Sequence, residues 1–199
     1  EKETGDEGIV MVDTHDPICE VAEMFPMSEF LVLAMEAGGL IHRLLEKVAG
    51  PMHEFVKEVS AAFPGHLWRI CGPEYAGEPY LPPRLFGEYV VRYTGPIIKA
   101  IQAHGGYARL HMHGRIRSAL PMIAQMAPDG LDPIEPPPQG DVELSYVRRE
   151  YGRDMVLFGN IEASDLENLP PEQFERIVAS ALREGTEGRG RGFVLMPSA

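Results

Sequence analysis

The residues best placed to do chemistry stand in the run Leu110-His111-Met112-His113-Gly114. Side chains two apart on a strand share a face, so this run sets two imidazoles side by side while Leu110 and Met112 pack on the other face. Two ring nitrogens from such a pair can meet one ion, and they can equally hold or relay a proton. Glu135 ends the next apolar run, residues 131–135, and a parallel neighbour in register would carry its carboxylate to the same rim. Two His and a carboxylate with an open position form a catalytic zinc set, and also the facial set of non-haem iron. The metal reading therefore names His111, His113 and Glu135 as ligands of a divalent ion, zinc first, and the proton-transfer reading stands beside it. Arg109 shares the imidazole face one step deeper, where a buried guanidinium needs a carboxylate partner.

The other apolar runs end in polar residues too. Asp13 and His15 follow the first run and Glu74 the second, and these three are the candidate catalytic acids and bases. Tyr75, Asn160, Glu162 and Ser198 are the candidate substrate contacts. Asp16, beside His15, also reads as a residue capping its own turn. Met24, Met27, Met35, Met122 and Met126 fall at apolar positions and read as core filler rather than ligands.

What must position these groups is a βα rhythm. Gly and Pro punctuate short apolar runs that alternate with longer amphipathic ones. Strands are expected at 9–12, 67–71, 107–113, 131–135, 155–158 and 193–196. Helices are expected at 29–49 and 51–62, broken at Gly50-Pro51, then at 83–103, 116–126, 142–151 and 171–184. Parallel neighbours need crossovers and helices supply them, so the class is α/β. After the first strand stands Val12-Asp13-Thr14-His15-Asp16-Pro17, with no glycine to cradle a phosphate, which disfavours a dinucleotide-binding sheet. The remaining architecture is a (β/α)8 TIM barrel in one domain over residues 1–199, represented by about six βα units. That count expects early units and the last helix to lie outside this sequence, or another copy of the chain to complete the barrel.

Composition narrows the function classes. The chain has 199 residues, 44% of them hydrophobic, and a net charge of −12. It carries no basic stripe interleaved with aromatics, which argues against nucleic acid and anionic membrane as partners and for a small-molecule substrate. No apolar run approaches the ~20 residues of a membrane span, and no signal peptide opens the chain. Cys19 and Cys71 are far apart and in no paired motif, so they read as reduced thiols in a cytoplasmic protein.

The motifs Gly72-Pro73-Glu74, Phe86-Gly87-Glu88, His104-Gly105-Gly106, His111-Met112-His113-Gly114, Phe158-Gly159-Asn160-Ile161, Pro171-Glu172 and Gly192-Phe193-Val194-Leu195 occur in an order that resembles the uroporphyrinogen decarboxylase superfamily. The resemblance implies a barrel with its site at the carboxyl ends of the strands. It implies either the haem-pathway decarboxylase or a zinc methyltransferase that works with a corrinoid protein and a thiol. In the methyltransferases the ligands follow a His-x-Cys pattern, an acidic residue about one strand later, and a Cys after the last strand. His111 matches the first and Glu135 the acid, while His113 stands at the first Cys and Ala199 falls at about the last. The decarboxylase pattern is approached at Phe158-Gly159-Asn160-Ile161-Glu162. The leading expectation is a metal-assisted methyltransferase-like enzyme, with a tetrapyrrole decarboxylase and a non-catalytic corrinoid-binding protein as alternatives.

Overall fold

The computed structural model describes residues 3, 5–188 and 190–198. Ala199 lies outside them. Six strands, β1 (Met11–His15), β2 (Leu67–Cys71), β3 (Tyr107–His111), β4 (Gly130–Ile134), β5 (Val156–Glu162) and β6 (Phe193–Ser198), form one sheet. Every neighbouring pair is parallel, and the order across the sheet is the order along the chain. When right-handed crossovers never reverse direction, the helices all fall on one face and the other face curls inward. The sheet is thus six units of a (β/α)8 plan, the expected α/β class.

Alternation along the strands sorts the side chains. Trp68, Ile70, Ala108, Leu110, Leu131 and Leu157 are fully buried on the helix-covered face. The opposite face carries Asp13, Arg69 and Arg109 in register, and one step nearer the carboxyl ends His15, Cys71, His111 and Asp132. The inner face is therefore polar and ionic where the outer one is aliphatic.

The helices are α1 (Pro17–Ala22), α2 (Met27–Glu36) and α3 (Gly38–Ala62) after β1; α4 (Pro83–Phe86) and α5 (Arg92–Ala103) after β2; α6 (Leu120–Met126) after β3; α7 (Leu144–Glu150) after β4; and α8 (Ala163–Asn168) and α9 (Pro171–Gly185) after β5. A π-helical turn, Gly87–Val91, joins α4 to α5 without a break. The expected break at Gly50-Pro51 is absent: α3 runs through it, and the chain breaks at Ala37 instead. An interior proline costs a helix about 3 kcal/mol. The apolar stripe of Ile41, Leu45, Ala49 and Val56, all buried, continues across Pro51 and offsets that cost. His42 and His53 also stitch α3 to α5, through the Tyr93 hydroxyl at 2.9 Å and the Tyr93 carbonyl at 2.8 Å.

Other boundaries differ in ways that matter for the site. The first strand lies two to three residues later than expected, with Ile9 exposed, so Asp13 and His15 are strand residues rather than loop residues. β5 and β6 run longer than expected and take in Asn160, Glu162 and Ser198. Of the methionines, Met126 is buried and Met27 and Met122 pack against the core, whereas Met24 and Met35 are exposed. Both cysteines are free. No helix among the described residues is long and apolar enough to cross a membrane.

Candidate active site at the carboxyl ends of the strands

A buried ionic group anchors the site. Arg109 on β3 and Asp132 on β4, two positions apart in register, share the inner face, and the guanidinium forks onto both carboxylate oxygens. The same guanidinium lies 4.3 Å from the centre of the Phe158 ring. Asp132 also accepts a hydrogen bond from His111 Nδ1 at 2.8 Å. Burial works to raise the Asp132 carboxyl, but the hydrogen bonds from His111 and Arg109 outweigh it and hold the group below the ordinary carboxylate range. Asp132 is a candidate site residue that sequence reasoning missed; the need of Arg109 for a carboxylate was the signal that could have found it.

The second imidazole repeats the pattern. His113 Nδ1 donates to Glu135 Oε1 at 3.0 Å, and the other Glu135 oxygen accepts the Gly114 backbone N–H. The hydrogen bond to Glu135 raises the His113 pKa. With both Nδ1 atoms committed to carboxylates, the neutral rings keep their lone pairs on Nε2. The two rings meet edge to face, 4.7 Å between centres. The same bonds bear on the expected ligand set. Both Glu135 oxygens are used in orienting His113 and capping Gly114, and His111, His113 and Glu135 do not bring three donor atoms within 4.8 Å of one another.

Glu74 sits in the short turn after β2, its Oε2 buried without a hydrogen-bond partner. Burial raises its carboxyl above the ordinary range, with His111 and His113 near enough to pull the other way. Glu74, Glu78, Pro79, Tyr80, His113, Glu135 and Gln139 line a cleft of about 310 Å³ whose lining, among the described residues, includes no Lys or Arg. The chain folds back behind it at Gly140, where an added Cβ would stand 1.9 Å from the Glu135 carbonyl oxygen. A Gly140→Ala variant is therefore expected to lose about 1–3 kcal/mol, since backbone rather than a flexible side chain must yield. Urea denaturation checks this, and an unchanged midpoint would show that the loop relaxes freely.

The end of β1 is wired differently from expectation. Asp13 is held by both nitrogens of the Arg69 fork at 2.8 and 3.0 Å, and His15 Nδ1 meets Glu20 Oε1 at 2.6 Å, so the two candidates bond to separate partners rather than to each other. Asp16 caps α1 by accepting the Ile18 N–H at 2.8 Å and the Thr94 hydroxyl. Complete burial raises its carboxyl to about 7, against those two hydrogen bonds. From 3.8 to about 7 the folded chain holds a proton that the unfolded chain has released. Stability therefore falls as pH rises through that window, by roughly 4 kcal/mol for a shift of this size. The Asp16→Asn variant, compared with the parent in urea from pH 4 to 8 with chelator present, should have the flatter profile; parallel profiles would refute the assignment.

Of the remaining candidates, Asn160, Glu162 and Ser198 gather at the ends of β5 and β6, while Tyr75 stays beside Glu74 after β2. Asn160 Nδ2 donates to the Ile134 carbonyl at 3.0 Å, and Ser198 donates to Glu162 at 3.4 Å. Asn160 and Glu162 line a second, larger cleft of about 440 Å³ together with Glu143, Asp165 and Glu184, again without a basic residue among the described residues. Ser198 is buried, and Tyr75 packs edge to face on Phe30 with its centre 6.3 Å away.

The family model described as uroporphyrinogen decarboxylase (URO-D) matches residues 3–199. No curated protein matches the chain. The match takes in all six strands and both carboxylate–imidazole pairs, and the chain belongs to the uroporphyrinogen decarboxylase family.

Proposed function

We propose that the chain is a metal-assisted group-transfer enzyme of the methyltransferase kind within this family. His111 and His113 would hold a divalent ion, zinc first, through Nε2. The observation that carries the reading is the carboxylate behind each ring, Asp132 on His111 and Glu135 on His113. Metal-bound histidines characteristically donate their other ring N–H to such a partner, which fixes tautomer and orientation. This donor set fits a borderline ion, with positions left over for substrate. When bound, the ion would supply Lewis-acid activation of the methyl acceptor or donor. The chain's own groups do the rest: Asp132 and Glu135 hold the imidazoles in place, and Glu74, kept toward its protonated form by burial, holds or delivers a proton at the cleft.

Charge favours this reading over the decarboxylase. A porphyrinogen is a polycarboxylate and needs unpaired cations to receive it. Here Arg69 and Arg109 are neutralised by Asp13 and Asp132, and both clefts at the carboxyl ends are lined by glutamates. Like charge would oppose such a substrate and would attract a cation. A corrinoid protein is the proposed methyl-carrying partner. The test is metal titration of tag-free protein, followed by methyl transfer from a methylated corrinoid protein to a panel of thiols and amines. The parent should bind one more zinc equivalent than the His111→Ala, His113→Ala double variant and should turn over. Equal stoichiometry in the two proteins, or carboxyl loss from uroporphyrinogen, would overturn the reading; corrinoid-protein binding without turnover would leave only a binding role.

A further inference from the structure

A second cluster of ligating side chains lies at the carboxyl end of β1, apart from the imidazole pair. His15 ends the strand, and Cys19 and Glu23 stand one turn apart on α1 and its carboxyl cap. One donor atom from each of the three lies within 4.8 Å of the other two. Cys19 Sγ is 3.6 Å from Glu23 Oε1. Among the described residues this is the one group of three His, Cys, Asp or Glu side chains that comes together in this way. We propose that His15, Cys19 and Glu23 form a metal site for a thiolate-accepting divalent ion of the zinc class, with a fourth position open to water or an exogenous thiol.

Three features support it. The donors are unequally placed: Cys19 is buried, whereas His15 and Glu23 are exposed with room to close in. Tetrahedral zinc with bonds of about 2.1–2.3 Å sets donors roughly 3.3–3.8 Å apart, so a movement of about 1 Å by the exposed pair completes the set. The His15 ring is backed by Glu20 at 2.6 Å, the same carboxylate–imidazole arrangement that orients metal-bound histidines elsewhere. The sulfur also has a place kept for it: Gly72 approaches so closely that an added Cβ would stand 2.7 Å from Sγ. Sulfur, imidazole nitrogen and carboxylate oxygen together select zinc or cobalt over magnesium or calcium, which take oxygen sets. Three protein donors and one open position are the usual count of a catalytic rather than a purely structural zinc.

Cobalt(II) is the probe, because a cobalt–thiolate bond gives a near-ultraviolet charge-transfer band and an imidazole-only site does not. The parent chain titrated with cobalt should show that band, and the His111→Ala, His113→Ala double variant should keep it, which separates this site from the one under Proposed function. Cys19→Ser should abolish it and Cys71→Ser should not. His15→Gln and Glu23→Gln, both exposed and tolerant of change, should each weaken cobalt affinity about tenfold or more. These two variants decide the matter even if Cys19→Ser folds poorly by circular dichroism. No band in the parent, a band that follows Cys71, or unchanged affinity in both His15→Gln and Glu23→Gln would overturn the proposal.

Discussion

Replacing Asp132 by alanine is expected to cost about 3–5 kcal/mol of folding stability, because it leaves a buried guanidinium without its counter-charge. Arg109 is only 8% exposed, and both of its hydrogen bonds to a carboxylate go to Asp132. Its remaining neighbours, the Phe158 ring and the Met11 and Met196 sulfurs, are too weakly polar to replace them. The penalty belongs to the orphaned charge rather than to the pair. An Arg109→Met, Asp132→Leu double variant should therefore recover most of the loss, which a double-mutant cycle in urea would read directly. If the single variant costs less than about 1 kcal/mol, the ion pair is wetter than its geometry implies and the anchor role fails.

Glu135→Gln is expected to lower zinc affinity at the imidazole pair about 10- to 100-fold. The amide keeps one acceptor where the carboxylate had two. Either the His113 N–H or the Gly114 N–H, both now received by Glu135, must face an NH2 group. The ring loses both its partner's charge and its fixed tautomer. Competition with a chromogenic chelator measures the change, and urea denaturation run in parallel separates it from general loosening. Zinc affinity equal to that of the parent would show that Glu135 does not act through His113.

The sheet order and the inner-face chemistry were legible because both follow from short periods. Apolar runs ended by Gly, Pro or Asp marked the strands, and side chains two apart placed His111 and His113 together. Parallel register predicted that Glu135 would reach both rings; it bonds His113, just beyond the ends of β3 at His111 and β4 at Ile134, while His111 bonds Asp132. Asp132 was not singled out although it falls inside the expected strand 131–135, where it and Pro133 lie buried in β4. What gives Asp132 its role is the partner on β3, and a single sequence does not display partners. The continuity of α3 through Pro51 was hidden likewise, since packing against α5 outweighs a local penalty. The cluster of His15, Cys19 and Glu23 escaped notice because its members divide between a strand end and a helix.

The chain-ordered sheet has a consequence for how the molecule assembles and breathes. Among the described residues each strand pairs with the strands before and after it in sequence, so every pairing closes a single βα connection, the longest that between Met11 and Leu67. Such an array can nucleate within any βα unit and grow outward, with stability summed over neighbouring units. The well-buried strands β3 and β4 are the expected nucleus, whereas β1 and β6 carry more exposed residues and are expected to order later. Amide hydrogens should then exchange in a gradient, slowest at Leu110 and Leu131 and fastest toward Met11 and Val194. The imidazole pair sits at the expected slow centre of that gradient, and His15 toward its faster edge.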